Sequence, residues 1–495
     1  MSARTVAVIG AGVGGMCAAT HLASQGIHVT VFEKNPNPGG RCDWIERDGH
    51  RFDTGPTLMV MQRVFEAEFA ALGTPLEEAL EVQQVDPSYR LVFDDGSRLD
   101  LTSDMGVMKS QLEAIEPGAF QGFLNYHAEG WRHYQISMER LVNRDFRRFT
   151  DFFNLGNIPL LYQVKPLVSH YANMGRYFKS PRLKAAFTFQ DVYMGLSPFA
   201  APATFSLMPY TELEHGVWYP KGGMYSLVEA LMMLARKAGV EFEFDTTVEG
   251  IMVKGNRAVG LDLEHNRRIE ADVILANADL THVYQELLPD AWRAEKLMRK
   301  QYSCSVITFF WGVDKPYENL GLHTLFLADD YRQNFDAIVR EHGLPSNPSL
   351  YIHAPVRFNP EAAPEGEDTL IAIVPVGHLA EDREQDWNAL TDLARGHVFR
   401  RLRGIGITDL EEHLKFETSF TPLSWRKRYN LVNGSTHGLS HNLTQLAYLR
   451  PSNRHPRYGN LYFVGASTHP GTGLPTVMIS GRLTAKRILD ELGSG

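Results

Sequence analysis

Three observations together predict an α/β fold built on a Rossmann-like βαβ unit near the N-terminus. They are a β-branched run that ends in clustered glycines, apolar residues at helical spacing directly after it, and a second β-rich run closed by an acid. The first run is Thr5 to Ile9. It leads into Gly10-Ala11-Gly12-Val13-Gly14-Gly15, after which Met16, Ala19, Thr20 and Ala23 recur on one helical face. Gly26 stops that helix, Ile27 to Phe32 extend again, and Glu33 closes the unit. The acid follows the glycines at the spacing of about 20 residues that a dinucleotide fingerprint requires. Gly10 permits the turn, Gly12 lets backbone approach a pyrophosphate, and Gly15 lets the helix pack closely on the strand. Glu33 is placed to accept hydrogen bonds from ribose hydroxyls, and it would repel a 2′-phosphate, which disfavours NADP.

The chain of 495 residues, 44% hydrophobic and 22% charged, exceeds one small core and fits two interleaved domains. Its net charge of -9 opposes binding to nucleic-acid phosphates. Cys17, Cys42 and Cys304 fit neither a disulfide framework nor a metal cage, so no metal site and a reducing, cytoplasmic setting are expected. The uncharged run Thr5 to Thr20 looks like the start of a secretory leader, but its glycines serve the turn, and no signal peptide is expected. Val192 to Thr211 is also uncharged. Pro198, Pro202 and Pro209 within it argue against a transmembrane helix.

Further along, Gly239 to Phe244, Val248 to Val253, Ala258 to Leu263 and Val273 to Leu275 read as short strands, with a turn at Lys254-Gly255-Asn256-Arg257. Asn460 to Val464 reads as a buried strand and Pro475 to Leu489 as a helix. The glycine-rich loop between them brings backbone N–H groups and a positive helix end toward one point, a place suited to an electron-rich group. His469 in that loop reads either as a base or as a ring bonded to loop backbone, and the second reading is carried forward.

Asn35-Pro36-Asn37-Pro38-Gly39-Gly40-Arg41 continues from the acid and offers backbone donors and a guanidinium, although a plain Pro/Gly turn would look the same. Together with Phe52 to Thr57, Lys221 to Tyr225, Asn277-Ala278-Asp279, Tyr302 to Ser305 and Leu461 to Pro475, these residues resemble the bacterial phytoene desaturase family of carotenoid desaturases. The likeness runs nearly end to end and looks nearest to the dehydrosqualene (diapophytoene) desaturase branch. It implies an amine-oxidase/GDI-like flavoprotein architecture, with an FAD-binding domain at 1–70, 215–285 and 440–495. Residues 71–214 and 286–439 would form an interleaved α+β domain for substrate and membrane association.

The resemblance further implies that FAD is held by Gly10, Gly12, Gly14, Gly15, Glu33, Lys34, Gly40, Arg41, Gly55, Pro56 and Thr57, by backbone at Val248, and by Gly465, Pro475, Thr476 and Val477. It implies dehydrogenation of a linear C30 or C40 polyprene, in which an allylic C–H delivers hydride to the flavin and the neighbouring carbon loses a proton. Oxygen or a quinone would reoxidise the flavin. Asp151 is the candidate for the proton, but the arginine that some relatives carry just after it is Asn154 here, and Asp151 also reads as a solvated helix acid.

Residues 131–190 hold ten Lys or Arg against three Asp or Glu, a local +7, and twelve aromatics. Such a mixture suits the anionic, cytoplasmic face of a membrane, and equally a helical domain with core aromatics; the resemblance favours peripheral, monotopic attachment. Taking thirty carbons out of water would yield roughly 24 kcal/mol at ~0.8 kcal/mol per CH₂, beyond the ceiling of about 18 to 21 kcal/mol for noncovalent binding. Such a substrate must therefore arrive from lipid. Three other readings share the architecture: a carotenoid isomerase or oxidase, an amine-oxidase-like enzyme with a polar substrate, and a prenyl-binding protein without catalysis.

Overall fold

The computed structural model describes residues 4–380 and 382–493. The β-branched runs form a five-stranded parallel sheet in the order Leu461–Phe463, Val273–Ala276, Thr5–Ile9, His28–Phe32, Glu241–Glu243. Val6 stands opposite Val273 on one side and Val29 on the other. Both faces of this sheet are covered, which is why its strands read as continuous apolar runs. On one face the helix Val13–Ala23 packs between Leu474–Gly493 and Ser226–Lys237. A Cβ on Gly481 would lie 2.7 Å from the Gly14 carbonyl oxygen, so glycine sets how closely the two helices approach. On the other face sits a meander of Val248–Lys254, Arg257–Leu263 and Arg267–Glu270, which buries Ile251, Leu261 and Leu263 against Ile9, Ile274 and Phe463.

A second, seven-stranded sheet runs in the order Leu414–Phe420, Ser305–Val313, Asp368–Val376, Leu350–His353, His323–Phe326, Tyr89–Val92, Arg98–Leu101. Its strands are antiparallel except for the parallel pair Tyr89–Val92 and His323–Phe326. The period of two divides Ser305–Val313 between two surroundings. Ile307, Phe309 and Trp311 pack beneath the helix Trp387–Gly404, with Trp311 stacked 5.3 Å from Phe399. Val306 and Thr308 face the interior cavity.

Helices close the remaining side. Ala119–Ser137 packs on Leu207–Glu214, and a Cβ on Gly130 would come within 2.6 Å of Tyr210 Cβ. The uncharged stretch 192–211 is broken by its prolines into 3₁₀ turns at Phe189–Met194 and Ala203–Ser206 before that last helix. Among the described residues no helix is long and apolar enough to cross a membrane.

Candidate cofactor and substrate site

A cavity of ≈ 600 Å³ extends from the glycine turn of the parallel sheet to the inner face of the second sheet. At its first end Gly10 adopts φ +92°, and Gly12 caps the helix Val13–Ala23 without any side-chain cap, leaving the helix's first N–H groups without a side-chain acceptor. Asn277, directly after the strand Val273–Ala276, holds the turn: its Nδ2 donates to the carbonyl oxygens of Gly10 at 3.0 Å and Gly12 at 3.3 Å. A Cβ on Gly15 would lie 2.6 Å from both the Gly10 oxygen and Asn277 Nδ2. Gly15 therefore stands behind the cavity wall and allows the turn to close.

The Glu33 carboxylate accepts from Ala11 N at 2.8 Å through Oε2 and from Asn35 N at 2.9 Å through Oε1. Burial raises its pKa while those two N–H groups oppose the rise. The Pro/Gly turn is exposed at Pro36 and Asn37 but docks through its glycines: Gly39 N donates to the Ala11 oxygen at 2.9 Å, and a Cβ on Gly40 would meet Gly12 Cα at 3.3 Å. Arg41 donates from Nη1 to the Thr436 oxygen at 2.7 Å. A Cβ on Gly55 would sit 1.8 Å from the Arg41 oxygen, which excludes every other residue there. Thr57 Oγ1 accepts from the Tyr351 hydroxyl at 2.9 Å. Lys34 Nζ reaches across to Asn430 Oδ1 at 2.8 Å.

Gly10, Gly12, Gly14, Glu33, Lys34, Gly40, Arg41, Gly55, Pro56, Thr57, Val248, Gly465, Pro475, Thr476 and Val477 all line this cavity. Asp151 does not. Its exposed carboxylate accepts from the backbone N–H groups of Arg147 at 2.9 Å and Arg148 at 2.8 Å, closing the first turn of Phe149–Phe152, and those bonds hold its pKa low. An acid spent on capping is a poor proton acceptor, and this placement fits the reading of Asp151 as a solvated helix acid. His469 lines the cavity with its ring edge-on to Phe146 at 5.3 Å; burial lowers its pKa to about 4, so it is neutral at pH 7.

Sequence reasoning assigned no role to Asn277, Thr246, Tyr193 or Tyr351, which also line the cavity. Asn277 had a usable signal, since a polar residue at the carboxyl end of a parallel strand is where ligands of α/β sheets bind. The tyrosines had none.

A dinucleotide fits these donors. Two crossing glycine loops and an uncapped helix end leave backbone N–H groups open where a pyrophosphate would pass, and Arg41 adds a guanidinium. His441, also in the wall, keeps a buried Nδ1 without a partner among the described residues. The far end is apolar, with Phe65, Leu141, Phe189, Met208, Leu325 and Ile373 in its walls. Fold and cavity thus define a dinucleotide-dependent oxidoreductase with an apolar substrate chamber.

Residues 13–489 match the family described as flavin containing amine oxidoreductase. The zeta-carotene-forming phytoene desaturase of Myxococcus xanthus is 42% identical, over 98% of this chain and 94% of that one. The phytoene desaturase of Fusarium fujikuroi is 40% identical over 99% and 90%. The 4,4'-diapophytoene desaturase (4,4'-diaponeurosporene-forming) of Staphylococcus aureus is 33% identical over 99% of both. Among solved structures, putrescine oxidase bound to putrescine superposes with a TM-score of 0.66 at 15% identity over 99% of both chains, a likeness of fold. The chain belongs to the flavin containing amine oxidoreductase family and, within it, to the carotenoid desaturases, FAD-dependent oxidoreductases.

Proposed function

We propose that this protein uses FAD to introduce conjugated double bonds into a linear C40 polyprene of the phytoene type, with a C30 chain as the second candidate. The observation that carries this reading is the single cavity that passes from a dinucleotide cradle into an apolar chamber. Among the described residues its lining carboxylates are Glu33 and Asp279, both at the cofactor end, so a polar amine would find no counter-charge in the chamber. The higher identity to the two phytoene enzymes, 42% and 40% against 33%, supports C40 over C30.

FAD, when bound, supplies the two-electron oxidation. Glu33 and Val248 would hold its adenosine, Gly10, Gly12, Gly14, Gly40 and Arg41 its pyrophosphate, and Gly55, Pro56, Thr57, Gly465, Pro475, Thr476 and Val477 its ring. The chamber walls keep the hydrocarbon extended beside the ring and exclude water from charge that develops on the chain. Residues 1–70, 215–285 and 440–495 form the cofactor domain in this reading, and the rest shape the chamber.

Peripheral docking on a membrane is part of the same proposal. Leu155, Tyr162 and Leu167 are 85%, 87% and 88% exposed, in a segment that follows the cavity-lining Met138, Leu141 and Val142. Exposed apolar side chains in a segment that follows cavity-lining residues along the chain suit insertion into lipid. The basic face contributes less than its composition implies, because Arg147 is already paired with Asp145 and Asp490. Oxygen or a quinone would reoxidise the flavin.

Expression in one host that makes phytoene and another that makes dehydrosqualene tests the reading. A coloured extract with a conjugated-polyene spectrum is expected from the phytoene host. Two colourless extracts, from cells that contain the FAD-loaded protein, would refute it.

A further inference from the structure

We propose that Arg450 is a positioning residue for hydride transfer: a buried guanidinium without a counter-ion, held behind the wall where the cofactor cradle meets the apolar chamber, whose charge is matched when the flavin takes up hydride. This rests on the desaturation reading for the place of the ring. Arg450 directly follows the 3₁₀ turn Ala447–Leu449 and is 3% exposed. All five of its N–H groups end on neutral carbonyl oxygens. Nε donates to Thr468 at 2.9 Å, Nη1 to Ser440 at 3.1 Å and Gln445 at 3.0 Å, and Nη2 to Leu439 at 3.0 Å and to Ala466. Among the described residues it makes no ion pair. Burial lowers its pKa to about 9, so the charge is present at pH 7. The group is fully bonded and yet uncompensated, an arrangement that costs free energy until an anion arrives.

The carbonyl partners place that charge. Leu439, Ser440 and Gln445 precede Arg450 on one loop and Ala466 and Thr468 belong to the glycine-rich loop, so one guanidinium ties two stretches of wall together. On the cradle side, a Cβ on Gly465 would meet Asn277 Oδ1 at 3.5 Å, and Asn277 holds the glycine turn. On the chamber side, Leu446 packs with Phe205 and Met208. Ala466 and Leu446 line the cavity, whereas Arg450 stands behind them. Hydride moves only between atoms in contact, so the ring must lie where cradle passes into chamber, and that is the stretch Arg450 backs. The neighbouring titratable groups supply no anion. Burial, and with it the Arg450 charge, lowers the pKa of His441, His469 and Lys300. The lining carboxylate Asp279 accepts from Ser467 Oγ at 3.3 Å, and burial raises its pKa while the charge of Arg41 opposes that rise.

The step balances, with the charge where Arg450 can act on it. One substrate C–H bond breaks and its pair moves with the hydrogen, as hydride, to the flavin, which is reduced by two electrons and gains one negative charge. The chain carbon is left positive. The neighbouring carbon then releases a proton, its C–H pair becomes the new π bond, and the chain is neutral again. At reoxidation the two electrons, the transferred hydrogen and one proton from solvent, equal to the one released, leave on oxygen or a quinone as the two hydrogens of peroxide or quinol. Between those events the ring carries the negative charge. A fixed cation in a dry wall stabilises that charge and leaves the neutral oxidised ring almost unaffected, so it acts on the difference between the two oxidation states. At the effective dielectric of a protein, one unit charge acting across several ångströms changes such an equilibrium by about one to two powers of ten.

Potentiometry of the FAD-loaded protein tests this without substrate, in wild type, Arg450→Gln and Arg450→Lys. Arg450→Gln should lower the equilibrium constant for two-electron reduction of bound FAD by about 10- to 100-fold, a fall of about 30 to 60 mV. Arg450→Lys keeps the charge while making fewer bonds to the loops, and its constant should stay within about threefold of wild type. Equal falls in both variants would assign the effect to lost loop packing and overturn the proposal. So would weaker FAD binding in Arg450→Gln at an unchanged potential, since a contact with the pyrophosphate favours both oxidation states alike. Should Arg450→Gln not fold, the wild type decides. A ring held as an anion takes up one proton for two electrons, so the wild-type potential should fall by about 30 mV per pH unit from about pH 8 down to about pH 5.5. A slope of about 60 mV per unit at the acid end, the mark of two protons, overturns the proposal. If the host extracts are colourless, the desaturation reading falls, and the potentials still decide the role of Arg450.

Discussion

At Glu33 one carboxylate serves two neighbours, and that decides what its loss would do. Its oxygens already bind the N–H of Ala11 in the glycine turn and of Asn35 in the following turn. Replacement by Gln keeps the shape but turns an NH₂ group toward one of those donors. An unpaired buried N–H costs about 1–3 kcal/mol, and the loss of a charged acceptor for ribose adds to it. Glu33→Gln is expected to weaken FAD binding by about one to two orders of magnitude and to lower the Tm of the apoprotein as well. Titration of the apoprotein with FAD, set beside the two Tm values, separates the effects. A loss confined to the apoprotein Tm would leave Glu33 a turn residue and nothing more. Gly12 is subject to the same logic, since its Cβ would strike Asn277 Nδ2 at 2.9 Å before it reached any ligand.

Among the elements, the short helices and turns after Ala119–Ser137 hold the most exposed apolar side chains of the described residues, with Leu155, Tyr162 and Leu167 all 85% exposed or more. Phe149 and Phe153 stack 4.5 Å apart and Phe152 packs on Phe153 at 5.0 Å, forming a small platform, while Leu155, Tyr162 and Leu167 project from the same segment. If the platform rests on lipid, each projecting side chain contributes on the order of 1 kcal/mol, part of its full burial value. Changing all three to Ser should weaken partition onto anionic vesicles by about 10²-fold, while turnover in neutral detergent stays near wild type. Undiminished vesicle binding in a folded triple variant would return the segment to an ordinary helical surface. The elements also show where the sequence was readable. The strand Thr5–Ile9, its glycine turn and Glu33 could be placed because the cradle is contiguous in the chain. The seven-stranded sheet could not: Val306 and Thr308 face the chamber while Ile307 and Phe309 face the core, so Ser305–Val313 is apolar on both sides and carries no alternation. Asp151 kept two readings because an acid in Phe-rich sequence looks the same whether it caps a turn or meets a substrate.

Across the whole molecule, the cofactor and chamber regions are stitched by buried polar groups that neighbour in space and lie far apart in sequence. The carboxylate of Asp43, just after the Pro/Gly turn, accepts from Arg428 Nη2 at 2.6 Å and from the Tyr429 hydroxyl at 3.0 Å. The pH dependence of stability follows from groups of this kind. Burial lowers the pKa of His133, His455 and His469 to about 4 and of His353 to about 3, against about 6.5 in an unfolded chain. Between those values the unfolded chain takes up protons that the folded one cannot, so each of the four contributes stability that is present at neutral pH and lost as pH falls from about 6.5 toward 4. Buried acids act in the opposite sense, and Glu33, Glu68, Asp191 and Asp279 are raised by burial alongside the two most clearly shifted. Asp53, raised to about 6, and Glu212, raised to about 8, hold protons in the folded state that the unfolded chain releases above about 4.5, so they gain on acidification. The lowered histidines, which also include His21 and His437 at about 4, outnumber the raised acids across that window. The Tm of the FAD-loaded protein should therefore fall steadily between pH 7 and pH 5, and His353→Asn, which removes the most strongly shifted of the four, should flatten the slope. A Tm that holds level or climbs on acidification over that range would show that the buried histidines are not neutral in the folded protein.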